Sequence, residues 1–266
     1  MPSVYTREAS LTMIRLAKEV PALPDRFARI QTVLDREDSS FDELAEVIGT
    51  DQSTTAMVLK AANSAYYNRT GTPVTDLKQA ISRLGLRETG QIAMSMSLCY
   101  GFAIPMGMGN IRAFWAHAFA VGLLSKHMGN LLGENSDELF VAGLLHDIGR
   151  AILGILVDMD YFESPLAQMD GSELVEAEHE RYGIDHAEAG AELLKLWRFP
   201  ERLQKIVGGH HSLDEGGFLP ARICALANSE AHARLPYGTT IDRVGEVIMD
   251  DFKADASDLI KEAGLA

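Results

Sequence analysis

Residues 140–159, in the middle of the chain, read FVAGLLHDIGRAILGILVDM. Their length and apolar composition would allow a membrane span, but the charges of Asp147 and Arg150 would be costly in lipid. We therefore predict a buried central helix and no contact with a membrane. Burying the Asp147 carboxylate beside His146 is unfavourable unless a charged partner compensates it, which favours a metal-binding role for the pair. Gly149 is predicted to let another helix approach closely.

Histidines recur on both sides of this pair. Imidazole and carboxylate groups bind divalent transition metals, and ligands distant in sequence can meet where helices converge. Adjacent residues on a helix point about 100° apart, so His146 and Asp147 can border one pocket, and the carboxylate could bridge two ions. A lone helical histidine is more often hydrogen-bonded or exposed, and we assign His127, His179 and His232 to that class. We predict a site for one or two ions of Fe, Mn, Zn or Ni, with the candidate ligands His117, His146, Asp147, His186, His210 and His211.

Apolar residues recur mainly at three- and four-residue spacing, and no convincing run alternates with period two. This pattern predicts an all-α fold. The glycine- and proline-rich residues 101–109 predict a junction between an N-terminal helical subdomain, residues 1–105, and a metal-binding helical core with C-terminal helices, residues 106–266. Capping patterns predict helix starts at Ser40 with Glu43, Asp76 with Gln79 and Asp185 with Glu188, and glycines predict helix ends at Gly49, Gly85 and Gly133.

The chain of 266 residues carries a net charge of −14, from 38 acidic and 24 basic residues. This charge opposes binding to a phosphate backbone. Residues 44–63 have the length of a helix-turn-helix, but the acidic stretch 35–51 would repel phosphates, so we do not expect nucleic acid as a partner. Only Cys99 and Cys224 are present, and the first ten residues lack the pattern of a secretory signal. We expect a cytoplasmic protein without a disulfide framework.

Three short runs in the first hundred residues carry a family resemblance. Leu23-Pro24 precedes an acidic helix, residues 58–67 read VLKAANSAYY, and residues 80–85 read AISRLG. In this order and spacing the chain resembles the HDOD family, a branch of the HD superfamily, over roughly residues 20–230. The resemblance implies N-terminal helices packed on an HD-type helical core and a role in bacterial signalling and regulation, often without hydrolysis. From its residue type, Asn63 is predicted to end a helix.

The order of histidines in the second half resembles that of the HD-GYP phosphodiesterases, another branch of the superfamily. The resemblance implies that Asp147 bridges the metals, that the three later histidines serve one ion, and that His117 and His146 belong to the neighbouring site. There, the superfamily's closing aspartate falls on Asn228, a weaker ligand, and a glutamate of some relatives is Ala113. The Gly-Tyr-Pro loop is missing, since SLDEGGFLP follows His211, and this argues against hydrolysis of cyclic dinucleotides.

Besides a DNA-binding module, which the acidic charge disfavours, two functions remain open from these residues. In the first, the protein is a regulatory module whose helical scaffold presents a surface to a signalling partner. In the second, it is a metal-dependent phosphohydrolase acting on a phosphate mono- or diester, such as a nucleotide-like molecule. There, Asp147 would position or deprotonate the attacking water, and Arg150 would bind the substrate phosphate. The loss of carboxylates at the neighbouring site favours the regulatory interpretation.

Overall fold

The structure is a computed structural model. It describes residues 5–17, 22–64, 67–68, 71–101, 108–214, 216–235, 244, 252, 256–263 and 265, excluding the side chains of residues 101 and 108–110. In this part of the chain every regular element is helical, so the predicted all-α fold is confirmed. The first six helices are α1 (Arg7–Leu16), α2 (Asp25–Leu34), α3 (Phe41–Gly49), α4 (Gln52–Ala62), α5 (Leu77–Leu84) and α6 (Leu86–Gly101).

The second half of the described chain begins with its longest helix, α7 (Met108–Leu132). This half also contains two 3₁₀ turns, Tyr161–Glu163 and Pro165–Gln168, and a π-helical turn, Leu153–Val157. Residues 256–262 are also helical. The remaining helices are α7 (Met108–Leu132), α8 (Ser136–Leu145), α9 (Ile148–Ile152), α10 (Gly171–Tyr182), α11 (His186–Leu196), α12 (Glu201–Gly208) and α13 (Leu219–Arg234).

The N-terminal helices begin and end where their capping residues predict. Ser40 and Glu43 form a complete capping box at the start of α3, and Asp76 accepts from the backbone N–H of Gln79 at the start of α5. Gly85 ends α5 with φ +91°, a conformation that L side chains rarely adopt. These bonds satisfy backbone groups that a helix end otherwise leaves unpaired.

Asn63 is an architectural residue, as its position at a helix end predicted. It follows α4, and its side-chain amide donates to the carbonyl of Leu59 at 2.9 Å and to that of Val74 at 2.7 Å. Its Oδ1 accepts from the N–H of Val74 at 2.7 Å. The amide therefore joins the end of α4 to the chain that leads into α5.

The predicted boundary at residue 105 lies outside the described residues, so the division into subdomains stays a prediction. Helix α1 belongs to the predicted N-terminal subdomain, yet it packs on α11 in the second half of the chain. Ser10 Oγ donates to the carbonyl of Tyr182 at 2.7 Å, and Arg15 pairs with Glu192 at 2.8 Å. The N-terminal helix therefore steadies the part of the chain that carries the candidate ligands.

The segment Ser136–Val157 is the one stretch among the described residues that is long and apolar enough to cross a membrane, and 83% of its most apolar window is buried inside the protein. This burial is what a core helix requires. The prediction of one continuous helix was wrong in detail. The α-helix breaks at His146 and Asp147, because the Asp147 backbone has φ −92° and ψ 5°, outside the helical region.

Gly149 has the packing role predicted for it. A Cβ atom added at this position would lie 1.8 Å from the backbone oxygen of His186 and 2.6 Å from the backbone nitrogen of Gly190. Helices α9 and α11 are therefore in backbone contact. This contact brings His186 next to the turn that carries Asp147.

Candidate metal centre

Four separate parts of the fold supply the candidate ligands, and the first of them is α7, which carries His117. Asp147 lies in the turn between α8 and α9, and His186 is the first residue of α11, after the capping residue Asp185. His210 and His211 lie just beyond α12, which begins after Pro200 and ends at Gly208. Long-range packing therefore brings these side chains together.

The first donor group consists of His186, His210 and His211, whose ligand atoms all lie within 4.8 Å of one another. Asp147 Oδ1 lies 3.2 Å from His186 Nε2 and 3.6 Å from His210 Nε2. His211 Nε2 lies 2.8 Å from His186 Nε2. Two nitrogens bound at about 2.1 Å to one ion and at right angles are roughly 3 Å apart, so this spacing suits two ligands of one metal.

Two buried nitrogen atoms in the cluster have no hydrogen-bond partner, His146 Nε2 and His210 Nε2. In each ring Nδ1 lies near a carbonyl oxygen, that of Gly143 at 2.8 Å and that of Val207 at 2.7 Å. Because a carbonyl only accepts, each Nδ1 must carry the proton, which leaves a lone pair on Nε2 of the neutral ring. A buried acceptor without a partner is costly, so these atoms fit a metal ion.

The second donor group consists of His117, His146 and Asp147, again within 4.8 Å of one another. Asn228, on α13, lies where the resemblance implied, with its Oδ1 2.9 Å from His117 Nε2. Since the amide oxygen accepts, His117 Nε2 carries the proton in this arrangement. Burial, followed by the nearby His232, lowers the pKa of His117 to about 4. Because His117 Nε2 carries a proton and is hydrogen-bonded to Asn228, this group is less suited to bind an ion than the first.

The charges of the first group are set by its neighbours. Burial raises the pKa of the Asp147 carboxyl, but His146, followed by His186 and His210 beside it, holds the pKa well below its usual value. Burial lowers the pKa of His186, but Glu178 and Asp147 outweigh this effect and raise it to about 10. Burial, followed by His210, lowers the pKa of His211 to about 2. Asp147 is therefore an anion beside a neutral His211.

Arg150 is largely engaged by the protein itself. Its Nε donates to Tyr161 Oη at 3.2 Å, and its Nη2 donates to the carbonyls of Leu166 at 3.3 Å and Ala167 at 3.4 Å. Its Nη1 lies 3.8 Å from Asp147 Oδ2. The guanidinium therefore holds Asp147 in this conformation, and its role in binding a phosphate stays a prediction.

Two residues at the cluster were missed by the sequence interpretation. Glu178 is fully buried and accepts from His186, but nothing in its acidic helix distinguishes it from its exposed neighbours. His232 was assigned outside the site, yet its ring centroid lies 4.2 Å from that of His117. It follows Asn228 by one helical turn, and this spacing could have revealed it. His179 lies apart from the cluster, where its Nε2 is 3.1 Å from Asp185 Oδ2.

Known proteins share this fold. A solved HDOD domain protein of unknown function from Geobacter sulfurreducens is 23% identical, covers 96% of this chain and 97% of its own, and has a TM-score of 0.72. A protein from Shewanella amazonensis, provisionally named a phosphohydrolase, is 24% identical, with 95% and 88% covered and a TM-score of 0.65. At these identities the likeness concerns the fold alone.

A curated relative is an uncharacterized protein of Treponema pallidum (strain Nichols), 24% identical over 208 residues. The alignment covers 73% of this chain but only 38% of that protein. The sequence pattern of the HDOD domain matches residues 20–213, which span α2 to α12 and all three candidate ligands of the first donor group. The chain therefore belongs to the HDOD domain family.

Proposed function

We propose that this HDOD protein binds a divalent transition-metal ion through His186, His210, His211 and Asp147. The observation that carries the proposal is the buried Nε2 atom of His210, which has a lone pair and no hydrogen-bond partner beside the Asp147 carboxylate. Imidazole nitrogens with one carboxylate suit Fe, Mn, Zn or Ni, and the charge of Asp147 partly neutralises the ion.

We infer further that the protein acts in regulation, where the bound ion stabilises a scaffold that contacts a signalling partner. The second donor group supports regulation over catalysis, because Asp147 is its one carboxylate and His117 is hydrogen-bonded to Asn228. A second ion would have little negative charge to hold it. A solved protein of similar fold from Marinobacter aquaeolei is provisionally named a signal transduction protein. That name is compatible with a regulatory role for the present chain.

Metal analysis of the freshly purified protein tests the first step. We expect about one transition-metal ion per chain, because the first donor group with Asp147 offers enough ligands for one closed or nearly closed site. Elemental analysis by inductively coupled plasma mass spectrometry gives both the number and the identity of the ions. About two ions per chain would favour a catalytic centre, and a metal-free protein that also takes up none on addition of Zn²⁺ or Mn²⁺ would overturn the proposal.

A second candidate function is hydrolysis of a phosphate mono- or diester, including a nucleotide-like substrate. The observation in its favour is the position of Asp147, which belongs to the second donor group and lies 3.2 Å from His186 of the first. A carboxylate between two donor groups is suited to bridging two ions. Such ions would lower the pKa of a bound water and polarise a phosphoryl group. Asp147 would then orient the attacking water.

Phosphatase assays distinguish the two functions. We expect the metal-loaded protein to release no p-nitrophenol above background from p-nitrophenyl phosphate or bis-p-nitrophenyl phosphate, because the second donor group is poor in carboxylates. The assay compares protein loaded with Mn²⁺, Fe²⁺, Zn²⁺ and Ni²⁺ with the chelated protein. Metal-dependent turnover that disappears in Asp147→Asn would instead establish the hydrolase.

A further inference from the structure

A buried carboxylate that no candidate ligand set contains lies directly behind His186. Glu178, on α10, is fully buried. Its Oε2 accepts from the backbone N–H of His186 at 2.8 Å and lies 2.6 Å from the same residue's Nδ1. Its Oε1 accepts from Tyr161 Oη at 2.5 Å. Both carboxylate oxygens are therefore used, and two of the three bonds lead to one candidate ligand.

Contact with Glu178 determines which nitrogen of His186 faces Asp147. An ionised carboxylate only accepts hydrogen bonds, so Nδ1 of His186 carries a proton. Nε2 then points toward Asp147 Oδ1, 3.2 Å away, and an ion that displaces the Nε2 proton can bind its lone pair. For His146 and His210 a backbone carbonyl fixes the proton on Nδ1. For His186 the acceptor is a side chain, and mutation can remove it.

The contacts of Glu178 form part of a closed ring of side chains, all of them buried except the partly buried Arg150. Arg150 donates to Tyr161, Tyr161 donates to Glu178, and Glu178 holds His186. His186 in turn lies against Asp147 Oδ1, and Arg150 Nη1 lies 3.8 Å from Asp147 Oδ2. The guanidinium thus lies between the two carboxylates and offsets part of their charge. Such a ring restricts the orientation of both Asp147 and His186.

We propose that Glu178 is a positioning residue for the metal ion, supported by Tyr161 and Arg150. It orients the imidazole of His186 and increases the basicity of its Nε2, as a carboxylate does when it accepts from the distal nitrogen of a metal-bound histidine. This inference rests on the proposed metal binding. A purely structural role is the competing explanation, because Glu178 also accepts the first backbone N–H of α11.

Affinity for Co²⁺, measured on the full chain after removal of metal with a chelator, tests the positioning role. We expect Glu178→Ala to raise the Kd for Co²⁺ about 10- to 100-fold, the usual effect of losing such a hydrogen bond to a ligand. Glu178→Gln should have a smaller effect, because its amide oxygen can still accept from Nδ1. Titration against a chromophoric chelator gives the Kd, and the visible spectrum of bound Co²⁺ reports the ligand geometry.

Two tyrosine variants provide a matched comparison. Tyr161→Phe removes the hydroxyl that donates to Glu178. It should weaken Co²⁺ binding by a few-fold, less than the loss of Glu178 itself, because Tyr161 acts on His186 only through Glu178. Tyr182→Phe removes a hydroxyl that donates to Asp158 at 2.9 Å, a carboxylate outside the ring. Each variant loses one hydrogen bond from a tyrosine hydroxyl. Tyr182→Phe should nevertheless leave the Kd for Co²⁺ and the Co²⁺ spectrum unchanged, because its lost bond lies outside the ring.

The outcomes separate this inference from the proposed function. A wild-type chain that binds no Co²⁺ overturns both. A wild-type chain that binds Co²⁺, together with Glu178→Ala that folds and binds it equally well, overturns the positioning role alone. If Glu178→Ala does not fold, the Co²⁺ affinities of Glu178→Gln and Tyr161→Phe test the positioning role instead. If Glu178→Gln and Tyr161→Phe then have the same Co²⁺ affinity and spectrum as Tyr182→Phe, Glu178 has only a structural role.

Discussion

Gly149→Ala is expected to lower the free energy of unfolding by more than about 3 kcal/mol, beyond the usual cost of one added methyl group in a packed core. The new Cβ would lie 1.8 Å from the backbone oxygen of His186 and 2.6 Å from the backbone nitrogen of Gly190. No flexible side chain can move away, so α9 and α11 must separate. Urea denaturation followed by far-ultraviolet circular dichroism measures the loss.

Gly49→Ala is the matched control for this substitution. Gly49 is also helical, but a Cβ added there meets only Leu77 Cδ2, at 3.9 Å. Its replacement should change stability by less than about 1 kcal/mol, and in the stabilising direction because alanine favours helix. If Gly149→Ala were as stable as Gly49→Ala, α9 and α11 would not be in backbone contact, and the position assigned to His186 beside Asp147 would be wrong.

The helix ends could be predicted from the sequence because their causes are local. A serine and a glutamate three residues apart reproduce the same pair of bonds wherever a helix begins, as Ser40 and Glu43 do. Gly85 is predictable for the same reason, since few other residues tolerate φ +91°. The packing role of Gly149 was predicted from its position beside a buried pair, but the identity of the opposing helix was not.

The break in the helix at the candidate ligands gave no local signal. The apolar pattern continues through AGLLHDIG without a proline, and the one glycine ahead of the break, Gly143, lies inside α8, so one continuous helix was the simplest prediction. Packing of α9 against α11 competes with that continuity. The resulting turn directs Asp147 toward His186 and His210.

The supporting residues of the cluster were not predictable because only distant contacts distinguish them. Glu178 is one of several acidic residues on α10, and its burial depends on Tyr161 and on the start of α11. Arg150 was predicted to bind phosphate from its guanidinium group and its place after the His-Asp pair. Its contacts with Tyr161 and with two backbone carbonyls become visible only when the 3₁₀ turns fold over it.

The double variant Asp147→Ala/His146→Ala is expected to lose its transition metal, with a metal content about tenfold or more below that of the wild-type chain. Asp147 is the one carboxylate in the two donor groups, and His146 contributes a buried Nε2 without a hydrogen-bond partner. The three remaining imidazoles of the first donor group are neutral as ligands and cannot offset the charge of a divalent ion. Elemental analysis of both purified proteins measures the difference.

Asp35→Ala/His179→Ala provides a control with the same residue types removed outside the cluster. Asp35 lies at the end of α2, and the half-exposed side chain of His179 pairs with the buried Asp185. This variant should keep the wild-type metal content. Equal metal in both double variants would show that the ion is held elsewhere, and that the assignment of Asp147 and His146 as ligands is wrong.

Loss of the ion must also be separated from loss of the fold, and chelation does this. An ion that binds only the folded chain raises the free energy of unfolding by about 4 kcal/mol at a free concentration about 1,000 times its Kd. The wild-type chain should therefore melt at a lower temperature after chelation. Asp147→Ala/His146→Ala should melt at one temperature with or without the chelator, and that temperature should lie below that of the chelated wild-type chain, because Arg150 and His186 lose the carboxylate that faces them. A chelator-dependent shift that persists in this variant would mean that other residues bind the stabilising ion.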